Sequence, residues 1–328
     1  MRDELKVLCE EFIQDRDMAK DAFAWENSYI LPVCAGILAD KKETITVQRL
    51  KECKQIIKDK TGIFSDFRGT VIAPMACMLA ISDNAETLFN NALKVYEELK
   101  KHFHSSTYLP LVSMIVAQMT EESQYPYIAQ KTREIYNLMK KEHPFLTYNE
   151  DGPFAAMLAF SDYSPELMME EVEKCYEILK PKFFSGNAVQ SLSHVLALGE
   201  GSAKEKCQRL VEFFEALKEK GYKYGTDCEL TTLGALSILP CDMSQVVTEI
   251  VEVAEHLEKE KGYGFFGASQ KQRLMHAVMI VCKAYVGKKN SQIMNSAAIS
   301  STIAIIAAQQ AAICAAVAVS AAASSASN

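Results

Sequence analysis

The chain has 328 residues, which exceeds the usual size of a single hydrophobic core and predicts two domains or an extended or ring-like array. Its 49% hydrophobic and 23% charged residues are typical of a globular protein and exclude a disordered one. The formal net charge is −7, and the sequence contains no block of basic residues. Nucleic acid is therefore excluded as an expected partner, because its binding requires clustered lysines and arginines.

The first residues, MRDELKVLCEEF, carry acidic side chains where a secretory signal peptide has an apolar core, so we expect no export. Ten cysteines occur without a C-x-x-C pair, and most stand among apolar helical neighbours. We interpret them as reduced core residues of a cytoplasmic protein, with a metal or redox role as the alternative. Neither a metal site nor a cofactor is expected.

One phrase recurs along the chain. ALKVYEELKKHF at 92–103 returns as EKCYEILKPKFF at 173–184 and as VEFFEALKEKGY at 211–222. Six copies align on one apolar residue of the phrase, and neighbouring copies lie 38 to 42 residues apart. The aligned residues are Ile57, Leu99, Met139, Leu179, Leu217 and Leu257. A nearly constant step of this length is typical of an array of helical hairpins.

Each copy has the same surroundings. The phrase ends an amphipathic helix, and a turn with glycine and aromatic residues follows it. A nearly apolar helix such as TVIAPMACMLAIS comes next, and a short Asp, Ser or Pro turn then supplies an N-cap for the following amphipathic helix. The predicted helix pairs span approximately 26–60, 68–102, 107–141, 152–181, 187–220 and 227–261, with a seventh from Ala268.

The predicted fold class is all-α, an array of six to seven helical hairpins of about 40 residues. The contrast between small-residue helices and lysine-rich helices favours a closed α/α toroid over an open α-solenoid, with the small-residue helices inside. We expect residues 1–289 to form this domain and residues 290–328 to form an uncharged Ala/Ser-rich tail, helical and packed on the body.

The recurring phrase and the tail together resemble a bacterial family of unknown function that is associated with Gram-positive genomes. The pattern of alternating helices is also similar to the α/α toroids of terpenoid cyclases and protein prenyltransferases. The D-x-D-D, D-D-x-x-D and Q-x-x-x-G-x-W motifs of those enzymes are missing, and Trp25 is the only tryptophan. The second resemblance therefore concerns the fold and not the chemistry.

Two histidines, His194 and His276, stand in apolar helices. A core histidine that is hydrogen-bonded to a neighbouring helix is one interpretation. The other is an acid or base that faces a cavity, because the pKa of histidine lies near neutral pH.

Four charged residues stand in or just after the glycine turns: Arg68, Asp151, Glu229 and Arg273. One interpretation is ion pairing between hairpins, because buried charges require partners. The alternative is that they surround the mouth of a cavity and bind a polar ligand. Asp151 also suits a simple N-cap.

The sequence contains no H-E-x-x-H, P-loop, G-x-G-x-x-G or G-x-S-x-G motif. The leading hypothesis is therefore a non-enzymatic binding or scaffold protein that presents a helical cavity or surface to a peptide, a protein or a small ligand. The alternative is an enzyme with its active site in the central cavity of a toroid. Membrane association is expected only through the tail.

The tail generates the first testable prediction. Its alanines and spaced isoleucines and valines are suited to filling apolar space between helices that are lined by small side chains. Deleting residues 291–328 should lower the melting temperature and expose apolar surface that binds a hydrophobic dye. A truncated protein of unchanged stability, together with partition of the full-length chain into membranes, would show that the tail is an anchor.

Overall fold

A computed structural model of the chain describes residues 1–24, 30–39, 41, 44–69, 71–264 and 267–290. Within these ranges the chain forms fourteen α-helices and no β-strand, which confirms the predicted all-α class. The tail beyond Asn290 lies outside the described residues. The choice between a closed ring and an open superhelix stays a prediction.

Seven of these helices are amphipathic. In the helix at 85–100, for example, Phe89, Ala92, Val95 and Leu99 are buried at spacings of three and four residues, while the opposite face is charged. The amphipathic helices are α1 (Asp3–Ala22), α3 (Val47–Lys60), α5 (Ala85–Lys100), α7 (Tyr125–Glu142), α9 (Pro165–Leu179), α11 (Ala203–Glu219) and α13 (Met243–Glu258).

The other seven helices alternate with the first set; six of them are apolar, and α14 has a mostly apolar stretch at 274–282 between polar and charged ends. Every residue from Ile72 to Ala80 is buried, as is every residue from Glu229 to Ser237, so these helices expose no face to solvent. This second set consists of α2 (Leu31–Leu38), α4 (Ile72–Ala80), α6 (Leu109–Met119), α8 (Gly152–Ala159), α10 (Gly186–Ala197), α12 (Glu229–Ser237) and α14 (Gln270–Asn290). Each of the six predicted pairs from 26–60 to 227–261 contains one helix of each kind, and of the seventh, from Ala268, the described residues include α14.

Short polar turns start the amphipathic helices as the sequence predicts. The side chain of Asn84 accepts a hydrogen bond from the Thr87 amide at the start of α5, and that of Asp242 accepts one from the Gln245 amide at the start of α13. Each bond satisfies an amide that has no partner within its helix.

The described residues form two compact units. One consists of residues 12–166, in which the pairs α3/α4, α5/α6 and α7/α8 pack side by side. The other consists of residues 1–11 together with the described residues from Leu167 onward, and α12 packs against both α10 and α14 at its core. Within the described residues, no helix is long and apolar enough to cross a membrane.

A half-buried cation closes the C-terminal end of α12. Arg209 in α11 donates from Nε to the Ser237 carbonyl at 2.8 Å and from Nη2 to the Leu239 and Cys241 carbonyls at 3.1 and 2.7 Å. The last carbonyls of a helix have no partner within the helix, so one guanidinium here satisfies three acceptors. Lys131 in α7 donates to the Ser161 carbonyl after α8 in the same manner.

This contact predicts a large effect of one substitution. Arg209→Met keeps much of the apolar stem of the side chain but leaves three carbonyls without their donor, so the free energy of unfolding should fall by about 2–3 kcal/mol. Urea unfolding measures the change. Lys174→Met is the control, because Lys174 is exposed and pairs only with Glu170 in its own helix. Equal losses in the two variants would contradict the role given to Arg209.

Candidate functional site

A groove opens between the last turns of α7 and the chain segment that leads into α8. Its volume is about 480 Å³, within the range of small-ligand sites. Two tyrosines, a lysine, a threonine, an amide and a carboxylate line it: Tyr136, Lys140, Thr147, Tyr148, Asn149 and Glu150. The groove therefore offers aromatic, cationic and anionic groups within one short segment.

Lys140 holds the wall of the groove in place. Its Nζ donates to the Pro144 carbonyl at 2.8 Å and to the Thr147 carbonyl at 2.6 Å, and it lies 5.0 Å from the centre of the Tyr148 ring. The Thr147 hydroxyl donates to the Met139 carbonyl at 3.1 Å. These bonds satisfy carbonyls at the end of α7 and fix the turn that follows.

Asp151 lies behind this wall and is only 1% exposed. Its Oδ2 accepts a hydrogen bond from the Tyr148 amide at 2.8 Å, which closes the short 3₁₀ turn at Asn149–Asp151. Burial raises the pKa of Asp151 to about 7, against the lowering effect of the Tyr148 amide and of Lys140. The carboxyl group therefore keeps its proton to a higher pH than an exposed aspartate does.

Tyr136 forms the opposite wall. Its ring packs edge to face against Phe103 with centroids 5.5 Å apart, and the Arg133 guanidinium lies 5.8 Å from the centre of the Tyr136 ring. Burial raises the pKa of Tyr136, and the charge of Asp151 raises it further. The phenol accordingly stays protonated and available as a hydrogen-bond donor at neutral pH.

The other sequence candidates lie elsewhere, and Arg68 is one of them. It belongs to the turn between α3 and α4, where its guanidinium donates to the Lys58 carbonyl and, at 2.6 Å, to the Thr61 carbonyl. Arg68 thus closes the C-terminal end of α3, the helix that precedes its turn.

Glu229 and Arg273 also contact residues that are close to them in the sequence. The Glu229 carboxylate accepts from the Asp227 amide at 3.2 Å and fills the space beside Gly225, where an added Cβ would lie 2.2 Å from the Glu229 Cδ. Arg273 pairs through Nη2 with the exposed Glu258 at 3.1 Å. Both charged groups lie at junctions between a turn and an apolar helix.

The two histidines are buried. His194 is 1% exposed within α10. His276 in α14 forms a 2.9 Å hydrogen bond between Nδ1 and the Tyr263 hydroxyl, and the two rings pack edge to face. His194, Glu229, Arg273 and His276 belong to one unit, and Arg68 and Asp151 belong to the other.

The described residues contain no group of three or more histidine, cysteine, aspartate or glutamate side chains that is placed to hold a metal ion. The nine described cysteines are free thiols, and seven of them are buried. Burial raises the pKa of Cys9 and of Cys228 to about 12, so both remain protonated and unreactive at neutral pH.

Sequence reasoning identified Asp151 but missed the groove beside it. Tyr136 and Lys140 belong to the recurring helix phrase, which indicates structure, and Tyr148 and Glu150 stand in a turn without a recognisable motif. The composition of the turn could have indicated the groove, since five of the six residues at 145–150 are aromatic or polar.

The raised pKa of Asp151 predicts that the free energy of unfolding depends on pH. Its pKa is raised from 3.8 to about 7 in the folded chain, so between these values the folded state holds a proton that the unfolded state releases. The contribution of Asp151 to the free energy of unfolding therefore falls as the pH rises through this window. Asp151→Asn keeps an oxygen for the Tyr148 amide but cannot ionise, so the variant should gain stability relative to the natural chain across the window. Urea unfolding at a series of pH values tests this, and parallel curves would contradict it.

The comparisons with known proteins agree with the resemblance stated from the sequence. The profile of a family described as "Protein of unknown function (DUF4003)" matches residues 17–311. The "Uncharacterized protein YeaA" of Bacillus subtilis (strain 168) is 24% identical over 306 residues, which cover 89% of this chain and 88% of that protein. No solved structure matches the chain. Since the family profile spans most of its length, the chain belongs to the DUF4003 family.

Proposed function

We propose that the protein is a non-enzymatic binding protein and that the groove between α7 and α8 holds a segment of a peptide partner. The observation that carries this proposal is that hydrogen bonds and ring packing within the chain already hold the walls of the groove. Lys140 and Thr147 bind carbonyls of the turn, and Tyr136 is packed against Phe103. Because the wall is already ordered, binding of a ligand does not incur the entropic cost of ordering it.

The chemistry of the groove favours a peptide that carries a basic side chain. Tyr136 and Tyr148 offer ring faces and hydroxyls, Asn149 offers an amide, and Glu150 offers a carboxylate. The ammonium of Lys140 already donates to two carbonyls, which leaves the Glu150 carboxylate as the charge that a ligand meets. An arginine or lysine beside an apolar residue complements this set.

The positions of the candidate residues also support binding over catalysis. Arg68 closes α3, Arg273 pairs with Glu258, and His276 bonds Tyr263. Each of these groups contacts the helix or turn that directly precedes its own helix. Catalysis requires several such groups to meet at one point.

An enzyme remains the second candidate function, and one observation favours it. Asp151 has a pKa of about 7 behind a groove, a combination that general acids and bases share. Its Oδ2 is directed at its own turn, where it accepts from the Tyr148 amide. That contact gives the carboxyl group a structural role and favours the binding protein.

The cellular location follows from the thiols. Nine free cysteines within the described residues suit a reducing compartment, because closely packed thiols oxidise in secreted proteins. We infer that the protein works in the cytoplasm.

A peptide display library tests the proposal. Peptides selected on the natural chain should bind a groove variant, Tyr148→Ala with Glu150→Lys, about tenfold more weakly or worse, because an aromatic anchor and the ligand-facing charge are both lost. The matched control is Tyr163→Ala with Asp162→Lys, in the turn after α8, where Tyr163 is 64% exposed against 51% for Tyr148. The control should retain full affinity.

Two outcomes count against the proposal. Selected peptides that bind the groove variant as tightly as the natural chain would place the binding surface elsewhere. Mass spectrometry of the bound peptide after incubation tests the hypothesis that the protein is an enzyme. A peptide that the natural chain cleaves or modifies and that Asp151→Asn leaves intact would establish catalysis. A peptide that stays unchanged would count against catalysis.

A further inference from the structure

Arg133 of α7 differs from most arginines of the chain in what its guanidinium contacts. Five of the seven arginines bond to carboxylates or carbonyls: Arg2, Arg16, Arg68, Arg209 and Arg273. Arg133 contacts two aromatic rings instead, with Cζ 5.1 Å from the centre of the Phe103 ring and 5.8 Å from that of the Tyr136 ring. Among the described residues, no carbonyl or carboxylate accepts a hydrogen bond from its guanidinium.

The two rings hold the half-buried Arg133 side chain without using its hydrogen-bond donors. A guanidinium over an aromatic ring is attracted by the ring quadrupole, and this attraction requires no N–H group. The five N–H donors therefore remain available to solvent or to a ligand. Because the rings already restrict the long side chain, a ligand does not have to order it on binding.

The residues around Arg133 supply no counter-charge. None of the residues three or four positions away on α7 is acidic: Ala129, Gln130, Tyr136 and Asn137. The segment from Leu99 to Thr120, which contains Phe103, has no aspartate or glutamate. Glu134 is next in the chain, but it is rotated by about 100° around the helix axis and accepts a hydrogen bond from Gln130 at 2.9 Å.

Arg133 stands beside one wall of the groove between α7 and α8. Tyr136, whose ring the guanidinium contacts, lines that groove together with Lys140 and Glu150. Arg133, Tyr136 and Lys140 are spaced by three and four residues, so they lie on one face of α7.

The helix sets the distance between the two ends of this face. Seven residues separate Arg133 from Lys140, which corresponds to about 10 Å along α7 at a rise of about 1.5 Å per residue. An extended peptide advances about 3.3 Å per residue, so this distance is spanned by about three residues of a ligand.

We propose that Arg133 binds a carboxylate of the peptide ligand, about three residues from the basic side chain that meets Glu150. This inference rests on the proposed function of the groove and adds a second charged contact to it. A carboxylate matches the guanidinium because its two oxygens accept from two parallel N–H donors. The carboxylate is supplied by an aspartate or glutamate side chain of the ligand or by its C-terminus.

The two charges also select against other partners. A purely basic peptide would bring a cation to Arg133, and a purely acidic peptide would bring an anion to Glu150. Either contact opposes binding, so the pair of charges favours a ligand that carries both signs at the right separation.

Peptides selected on the natural chain from a display library with free C-termini test the proposal. They should carry an aspartate, a glutamate or their own C-terminus about three residues from an arginine or lysine. Replacing that carboxylate by an amide should weaken binding to the natural chain about tenfold, and Arg133→Gln should weaken binding of the unmodified peptide equally. On Arg133→Gln the amide peptide should bind as well as the unmodified one, because both changes remove the same interaction.

Arg49→Gln is the matched control. Arg49 is also half-buried in an amphipathic helix of the same unit, α3, but it does not line the groove. This variant should keep full affinity and the tenfold difference between the two peptides. Amidation of the C-terminus and amidation of an acidic side chain, made in separate peptides, distinguish the two sources of the carboxylate.

Three results would overturn the proposal. Peptides that lose affinity for Tyr148→Ala with Glu150→Lys but bind Arg133→Gln as tightly as the natural chain would refute the role of Arg133 and leave the proposed function standing. Equal losses on amidation with the natural chain and with Arg133→Gln would place the carboxylate elsewhere. If no peptide is selected, or if the selected peptides ignore the groove variant, the proposed function fails and this inference fails with it.

Discussion

The apolar helices must be shielded from water on every side, and the rest of the structure depends on this requirement. In α4 and α12 all nine residues are buried, so neither helix has a face that can form the surface. The amphipathic helix that precedes each of them covers it: α3 packs against α4, and α11 packs against α12. Close approach makes this cover effective: at Gly234 of α12 an added Cβ would lie 2.6 Å from Cδ1 of Leu192 in α10. The packing of α12 on α10 leaves no room for a side chain there.

Short helices that are packed this tightly leave many terminal carbonyls close to the core, and cations from neighbouring segments satisfy them. Lys131 and Arg209 stand eight residues before the aligned Met139 and Leu217, and each donates to carbonyls after the following apolar helix. Lys140 and Lys180 directly follow the aligned Met139 and Leu179, and each donates to a carbonyl of the next turn. In these two copies the lysine closes the turn after its own helix, whereas Lys100 and Lys218 at the same position pair with Glu97 and Glu215 of their own helices.

The alternation of helices and the N-caps were predictable because periodicity and capping are local properties of the sequence. The helix α1 was not placed in a predicted pair, since its stretch lacks the recurring phrase. The contacts of Arg209 with carbonyls about 30 residues away depend on packing that no local pattern encodes. The same holds for the groove: Asp151 was singled out from its position in a turn, but its burial behind Tyr148 and the packing of Tyr136 on Phe103 arise only in the folded chain.

The apolar helices form a rigid support, and one face of α7 together with the turn after it carries the groups on which both proposals rest. Amide hydrogen exchange of the full chain, followed by mass spectrometry, tests this division most directly. The account predicts the slowest exchange in α4, α6 and α8 and much faster exchange in the turn at 143–148. Protection of this turn equal to that of α8 would contradict it, because another part of the chain would then cover the surface assigned to ligands.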